Sequence, residues 1–234
     1  MMLPRDPTAR RQAYMSGPVT RRRNKLAPDP GVRRAILAAA SKSVREQGVR
    51  GLSIAAVLDR AQLSTRAFYR HFESKDQLVA AVFLEMARVE MLRLRRKMAK
   101  AATSVEAVAA WIDGRLDLAF DGNIKSDLRH LSLEAQSQMF ASPELIQPAY
   151  AEILEPLVEQ LQRGLEHGVF QDIDPVTHAQ SIQGVLWAGT ERQWATGDCE
   201  RADVRDRVIR FCLRGLGVAP ETIAQIAARN APAG

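Results

Sequence analysis

The stretch STRAFYRHF, residues 64–72, carries the densest set of donors in the chain: Thr65, Arg66, Tyr69 and Arg70, with His71 beside them. Read as a helix, it places Phe68 and Phe72 four apart on one face and Thr65, Arg66, Tyr69 and Arg70 towards the other. Such a helix packs on one side and offers hydroxyl, phenol and guanidinium groups on the other. Their natural acceptors are phosphate oxygens and base edges, with Arg66 able to take a guanine O6/N7 pair bidentately. Ser53 and Ser74 stand at helix starts, where unpaired N–H groups and the helix dipole favour an anion, and Lys75 adds a charge to the second of these. Serine at a helix start is also an ordinary cap in any fold, and His71 next to Phe72 is as readily a packed histidine as a contact.

Other chemistries find less support. Asp127, His130 and Glu134 share one helix face, but a di-iron carboxylate site requires two Glu-x-x-His copies and two further Glu, and one imperfect copy is present. Asp174 and His178 form another pair at i, i+4, with Asp174 better explained as a cap. Cys199 and Cys212 form no CxxC and have no evident His partner, and there is no GxGxxG, P-loop or GxSxG. The expectation is a protein that binds, without catalysis, cofactor or metal.

The elements that would position these groups are helical throughout. Asp29-Pro30 caps and opens a first helix along Val32, Ile36, Ala39, Ala40 and Val44, ended by Gly48; helices of about Ser53–Arg60 and Ser64–Phe72 follow, with Gln62-Leu63 as the turn. Ser74 opens a long fourth helix through Leu78, Val82, Met86 and Val89, whose Arg93–Lys97 run reads as a solvated end. Thr103 and Glu106 have the form of a capping box for a fifth helix through Trp111 and Phe120. A sixth spans about Ser126 to Phe140. A seventh runs from Pro143 to Gly168, with Pro148 and Pro156 expected to kink or split it. Asp174-Pro175 opens an eighth, a ninth covers Arg201 to Leu216, and Pro220 begins a last short one. The fold class is all-α: an N-terminal helix-turn-helix domain joined by a long helix to a larger C-terminal helical body. The boundaries are 1–28 as a disordered basic arm, 29–76 as the helix-turn-helix unit and 77–234 as the body.

Charge divides the chain the same way. Of 234 residues, 33 are Lys or Arg and 27 Asp or Glu, yet residues 1–100 hold 22 basic and 8 acidic groups while the remainder is net acidic. A basic front on an acidic rear fits a polyanion at one end, nucleic acid first among them. The absence of a signal-like apolar segment or a long uncharged apolar run points to a cytoplasmic protein without membrane spans. A basic helical module that binds membranes or proteins without DNA sequence preference is the alternative.

Residues 36–83, ILAAASKSVREQGVRGLSIAAVLDRAQLSTRAFYRHFESKDQLVAAVF, resemble the DNA-binding domain of the TetR (tetracycline repressor) family of one-component bacterial transcriptional regulators. The resemblance covers about a fifth of the chain and rests on the EQG helix end, Ser53-Ile54, Ala61 and Ser64 at the turn, Phe68 to Phe72, and Ser74-Lys75. Gln62 stands where the family commonly has Gly, Ser53 where it has Thr, and Arg66-Ala67 where it has Gly-Thr. The resemblance implies that Ser53, Tyr69, His71 and Lys75 touch phosphates, and that Thr65, Arg66 and Arg70 face base edges or the neighbouring backbone. It further implies a repressor that binds a palindromic double-stranded operator as a homodimer, and a variable ligand-binding and dimerisation body.

In the body the residues must speak alone. The eighth helix has Ile182, Leu186 and Gly189 on one stripe, with the small residues Gly184 and Ala188 nearby; paired with a ninth helix bearing Val204, Val208, Phe211 and Cys212, it could form half of a two-fold four-helix interface. Candidate lining for an effector pocket comprises Met86, Trp111, Phe120, Met139, Phe140, Tyr150 and Trp187, with His130, Gln136 and Gln183 as polar partners. Few charges fall on these faces, which suggests a small, mostly apolar effector.

Overall fold

The computed structural model describes residues 29–124 and 126–229, apart from the side chains of Ser126 and Phe140. The basic arm 1–28 and the Phe140 side chain therefore lie outside the described residues. Ten helices make up the regular structure of the described residues: α1 Pro30–Gly51, α2 Ile54–Ala61, α3 Thr65–Phe68, α4 Lys75–Met98, α5 Ser104–Phe120, α6 Ser126–Ala141, α7 Pro143–Glu166, α8 Pro175–Thr196, α9 Arg201–Gly215 and α10 Pro220–Ala228. The molecule is all-α, with a small N-terminal helical unit and a larger C-terminal one.

Local chemistry explains most starts and stops. Asp29 accepts the Gly31 N–H and precedes Pro30; Asp174 does the same for Thr177 ahead of Pro175. Thr103 Oγ1 accepts the Glu106 N–H while the Glu106 carboxylate accepts from Ala102, a reciprocal cap at the head of α5. Gly48, at φ 70°, interrupts α1 as its sequence position suggests, and one more turn follows to Gly51. Pro148 and Pro156 do not split α7, which is continuous from Pro143 to Glu166. Proline forfeits one backbone hydrogen bond, and the apolar stripe Ile146, Ala149, Ile153, Leu157 and Leu161 buries enough surface on both sides of the two prolines to hold the helix together.

The core of the body is packed between α4, α5 and α7, with Leu78, Val82, Phe83, Leu94, Trp111, Ile112, Leu116 and Leu157 all closed to solvent. Charges run through it. Glu90, fully buried, receives two hydrogen bonds of 2.8 Å from Arg93 and one of 3.0 Å from Arg115; Lys97 reaches Asp117 at 2.6 Å; Arg95 grips Glu159 with two bonds of 2.7 Å. The Arg93–Lys97 run closes α4 part-exposed rather than freely solvated: Arg93, Arg95 and Lys97 pair with carboxylates of α5 and α7, and Arg96 is exposed. Arg205 on α9, 3% exposed, pairs with Asp113 at 2.6 Å and donates to the Ala227 carbonyl, tying α5, α9 and the end of α10 together. Val89, in contrast, faces outward at 60% exposure and takes no part in the core.

Candidate nucleic-acid interface and ligand groove

The N-terminal unit hangs on two rings. Phe68 and Phe72 are buried, their centroids 5.7 Å apart, and Arg33 of α1 lies 5.4 Å from the Phe72 centroid. Ile36, Ala40 and Val44 of α1 with Val57 and Leu58 of α2 complete this small core. The turn between α2 and α3 is set by Gln62, which adopts the left-handed conformation at φ 54°, ψ 45°, while its neighbour Leu63 donates to the Leu58 carbonyl at 2.9 Å. A left-handed non-glycine residue is strained, and the turn tolerates it because the helix end is closed by these bonds on both sides. α3 is only four residues long by helical bonding, shorter than the 64–72 span read from the sequence; the chain beyond it continues as turns in which His71 and Phe72 donate to the Phe68 carbonyl.

Anchoring the rings inward leaves the donors outward. Thr65, Arg66, Tyr69 and Arg70 are exposed, Tyr69 to 61%, its ring held edge-on to Phe68 at 5.2 Å. His71 is half-buried. Ser64 caps α3 through the Ala67 N–H, and Ser74 caps α4 through the Gln77 N–H while the Gln77 side-chain oxygen accepts the Glu73 N–H, so both helix starts are pinned by their own side chains. Lys75 sits at the first position of α4. Ser53 occupies the N-cap of α2 in extended conformation, exposed and without a side-chain cap bond. The seven residues singled out for nucleic acid thus fall on three consecutive helix starts and the segment after α3.

Residues 36–82 match the sequence profile of bacterial regulatory proteins of the tetR family. The tetR-family likeness in sequence lies within the N-terminal unit. No curated protein matches the chain. Solved structures similar to the whole chain include RolR in complex with resorcinol, at TM-score 0.62 and 22% identity over 86% of this chain and 95% of that one. Salmonella enterica GusR aligns at TM-score 0.63 and 19% identity over 83% and 100%. FadR from Bacillus subtilis, in complex with stearoyl-CoA, aligns at 0.60 and 19% over 78% and 98%. The likeness to these solved structures covers 78–86% of this chain and is one of fold.

Behind the N-terminal unit, α7, α8 and the end of α6 enclose a groove of about 1070 Å³. It brings together four of the residues considered for an effector: Met139, Tyr150, Gln183 and Trp187. Tyr150 and Trp187 meet edge to face at 5.1 Å. Burial pushes the Tyr150 phenol well above its ordinary range, so it stays neutral. The other candidates lie elsewhere. Trp111 is fully buried and donates to the Ile153 carbonyl at 3.3 Å; Met86 is buried on α4, its sulfur accepting from Ser132 at 3.9 Å. Phe120 and Gln136 are half-buried and His130 is exposed; none of the three lines the groove. Val176 and Gln180, not singled out from the sequence, line it too, and the signal was available: 176, 180, 183 and 187 repeat at 4, 3 and 4 residues, one stripe of α8.

The helix α6 touches both units. Glu134 accepts the Val49 N–H at 2.8 Å, beside the left-handed Gly48, and Asp127 pairs with Arg45 at 3.1 Å. Two of the three residues that might have formed a metal cluster on this helix are thus engaged with α1, and no metal-holding group of His, Cys, Asp or Glu occurs among the described residues. Among them, too, no helix is long and apolar enough to cross a membrane.

Proposed function

We propose that this protein is a DNA-binding transcriptional regulator, a repressor that binds a palindromic operator as a homodimer and is released by a small, mostly apolar effector. The observation that carries the reading is the face formed by Thr65, Arg66 and Tyr69. It is exposed, donor-rich and held rigidly by Phe68 and Phe72 underneath, so side-chain donors meet the double helix pre-organised. Arg66 near the start of α3 reads a base edge, and Ser53 and Lys75 hold phosphates on either side of it.

The dimer uses α8 and α9. Gly184 and Ala188 are exposed on α8, Phe211 on α9 is 65% exposed, and a Cβ at Gly189 would lie 2.8 Å from Val208 Cγ2, so the two helices pack closely. An exposed large aromatic on this helix pair favours a self-complementary contact. The effector occupies the groove of Tyr150 and Trp187; the ligand-bound states of RolR and FadR, one with resorcinol and the other with stearoyl-CoA, support a sensing role for a body of this fold. α4 and α6 couple the sites, since α4 begins at Lys75 and enters the body core, and α6 runs from the Glu134 contact on α1 to Met139 in the groove. An effector that fits only one arrangement shifts the equilibrium by its differential affinity and no more.

The test compares binding to fluorescent duplex DNA and to vesicles of acidic phospholipid. Binding to DNA that loosens with rising salt, with sequence preference and no vesicle binding, supports the regulator. Equal affinity for all duplexes together with vesicle binding supports the basic helical module instead.

A further inference from the structure

Resting on the reading of the groove as the effector site, we propose that its ligand is an uncharged, planar aromatic molecule with a hydrogen-bond donor and acceptor side by side, the edge of a lactam or amide, read by the Gln183 side chain. Gln183 is 3% exposed, and neither its amide nitrogen nor its amide oxygen has a hydrogen-bond partner among the described residues. A primary amide buried without partners is costly, and such groups are normally satisfied. Both of its atoms are orphaned, so what satisfies them must offer one acceptor and one donor with matched spacing. That is the pairing by which a glutamine side chain reads the adjacent donor and acceptor of a heteroaromatic edge.

The walls around Gln183 define the rest of the molecule. Tyr150, Trp187, Met139 and Leu154 supply aromatic and apolar surface, with the two rings edge to face, a lining that suits an aromatic ligand. Charge sets the sign. The described residues that line the groove include Glu152, Glu155 and Glu159 and no Lys, Arg or His. Glu155 and Glu159 are bound by Arg95 and Glu152 lies 3.9 Å from Arg88; Arg115, which acts on Tyr150 electrostatically, pairs with Glu90 at 3.0 Å and leaves its Nε without a partner among the described residues. A carboxylate or phosphate would enter a site lined by three carboxylates and by no cation, which favours an uncharged ligand over an anion.

The experiment is calorimetric titration of the full chain, without DNA, by three probes of similar size: quinolin-2-one, with adjacent N–H and C=O; quinoline, an acceptor alone; and 2-naphthoate, an anion. Quinolin-2-one is expected to bind at least about tenfold more tightly than the other two, because a site with buried polar groups penalises a ligand that leaves them unpaired. Gln183→Met, which keeps the length of the side chain and removes both polar atoms, is expected to abolish that preference while quinoline binding persists. Trp187→Leu, as a second variant, is expected to weaken quinolin-2-one and quinoline alike. Thermal unfolding of each variant identifies any that fails to fold, in which case the probe ranking on the parent chain decides. Binding of 2-naphthoate as tight as that of quinolin-2-one, an unchanged preference in Gln183→Met, or no binding of any probe overturns the proposal. Tight, Gln183-dependent binding that leaves DNA affinity untouched would keep the ligand chemistry and overturn the effector role alone.

Discussion

The two sites of this chain are built in opposite ways. The nucleic-acid face draws its seven residues from positions 53–75, and its framework is local: Ser64 and Ser74 cap the helices that carry it, and Tyr69 rests edge-on to Phe68 one residue away. The groove draws Met139, Tyr150, Gln183 and Trp187 from three helices, and their meeting depends on how α7 and α8 pack. The first is a site of local geometry, the second a site of tertiary packing. Their interiors differ in kind as well. Under the DNA face lie two phenylalanines, whereas the body is threaded by buried ion pairs around Glu90 and Asp113.

That contrast can be broken most forcefully in the body. Removing one partner of a buried, hydrogen-bonded pair leaves the others uncompensated, so Glu90→Gln is expected to cost about 3–5 kcal/mol of stability by denaturant unfolding, with Arg93 and Arg115 left behind. Burial raises the Glu90 carboxyl, but the Arg93 hydrogen bond and the charges of Arg115 and Arg93 outweigh it, and the group titrates below its usual 4.5. The sign follows: its contribution is present above the unfolded value and is lost as pH falls through the lowered folded value. Acid unfolding of the parent chain should therefore show a step that Glu90→Gln lacks. If the variant is as stable as the parent, the body is held by its apolar packing alone and the contrast between interiors disappears.

On the DNA face the expected effects are on binding rather than folding. Arg66→Ala is expected to cost about 1–3 kcal/mol per half-site and to relax preference at one base pair, while Lys75→Ala weakens all sequences alike and lowers the slope of log affinity against log salt by about one. Thermal unfolding should barely move in Arg66→Ala, because its side chain is exposed. Equal loss on every sequence from both variants would make Arg66 a phosphate contact.

The smallest expected effect sits at the turn. Gln62 is left-handed at φ 54°, so Gln62→Gly relieves strain and is expected to raise stability by about 1 kcal/mol without altering DNA preference. A destabilised Gln62→Gly would mean that the glutamine side chain holds the turn.

What could be read from the sequence follows the same division. Caps at Asp29, Thr103 and Asp174, the Gly48 break and the Phe68–Phe72 face are i to i+4 relations, and the structure reproduces each. The partners of the Arg93–Lys97 run, Glu159 and Asp117, lie on α7 and α5, tens of residues away, and a cation run alone cannot show which carboxylates it will meet. Trp111 shares its aromatic character with Tyr150 and Trp187, and only packing distinguishes a ring closed in the core from rings that line a groove. α3 proved shorter than its pattern, since the donors and rings are arranged by turns as well as by helix.

The most direct test of the central claim, that the 53–75 face reads duplex DNA as one half of a symmetric pair, is selection of bound sequences from random double-stranded DNA by the full chain. The account expects enrichment of a palindrome whose half-site centres lie roughly 34–36 Å apart, or a multiple of that spacing, with one position in each half-site lost when the selection is repeated with Arg66→Ala. Recovery of no common sequence from a folded protein, or of a single unrepeated site, would contradict it.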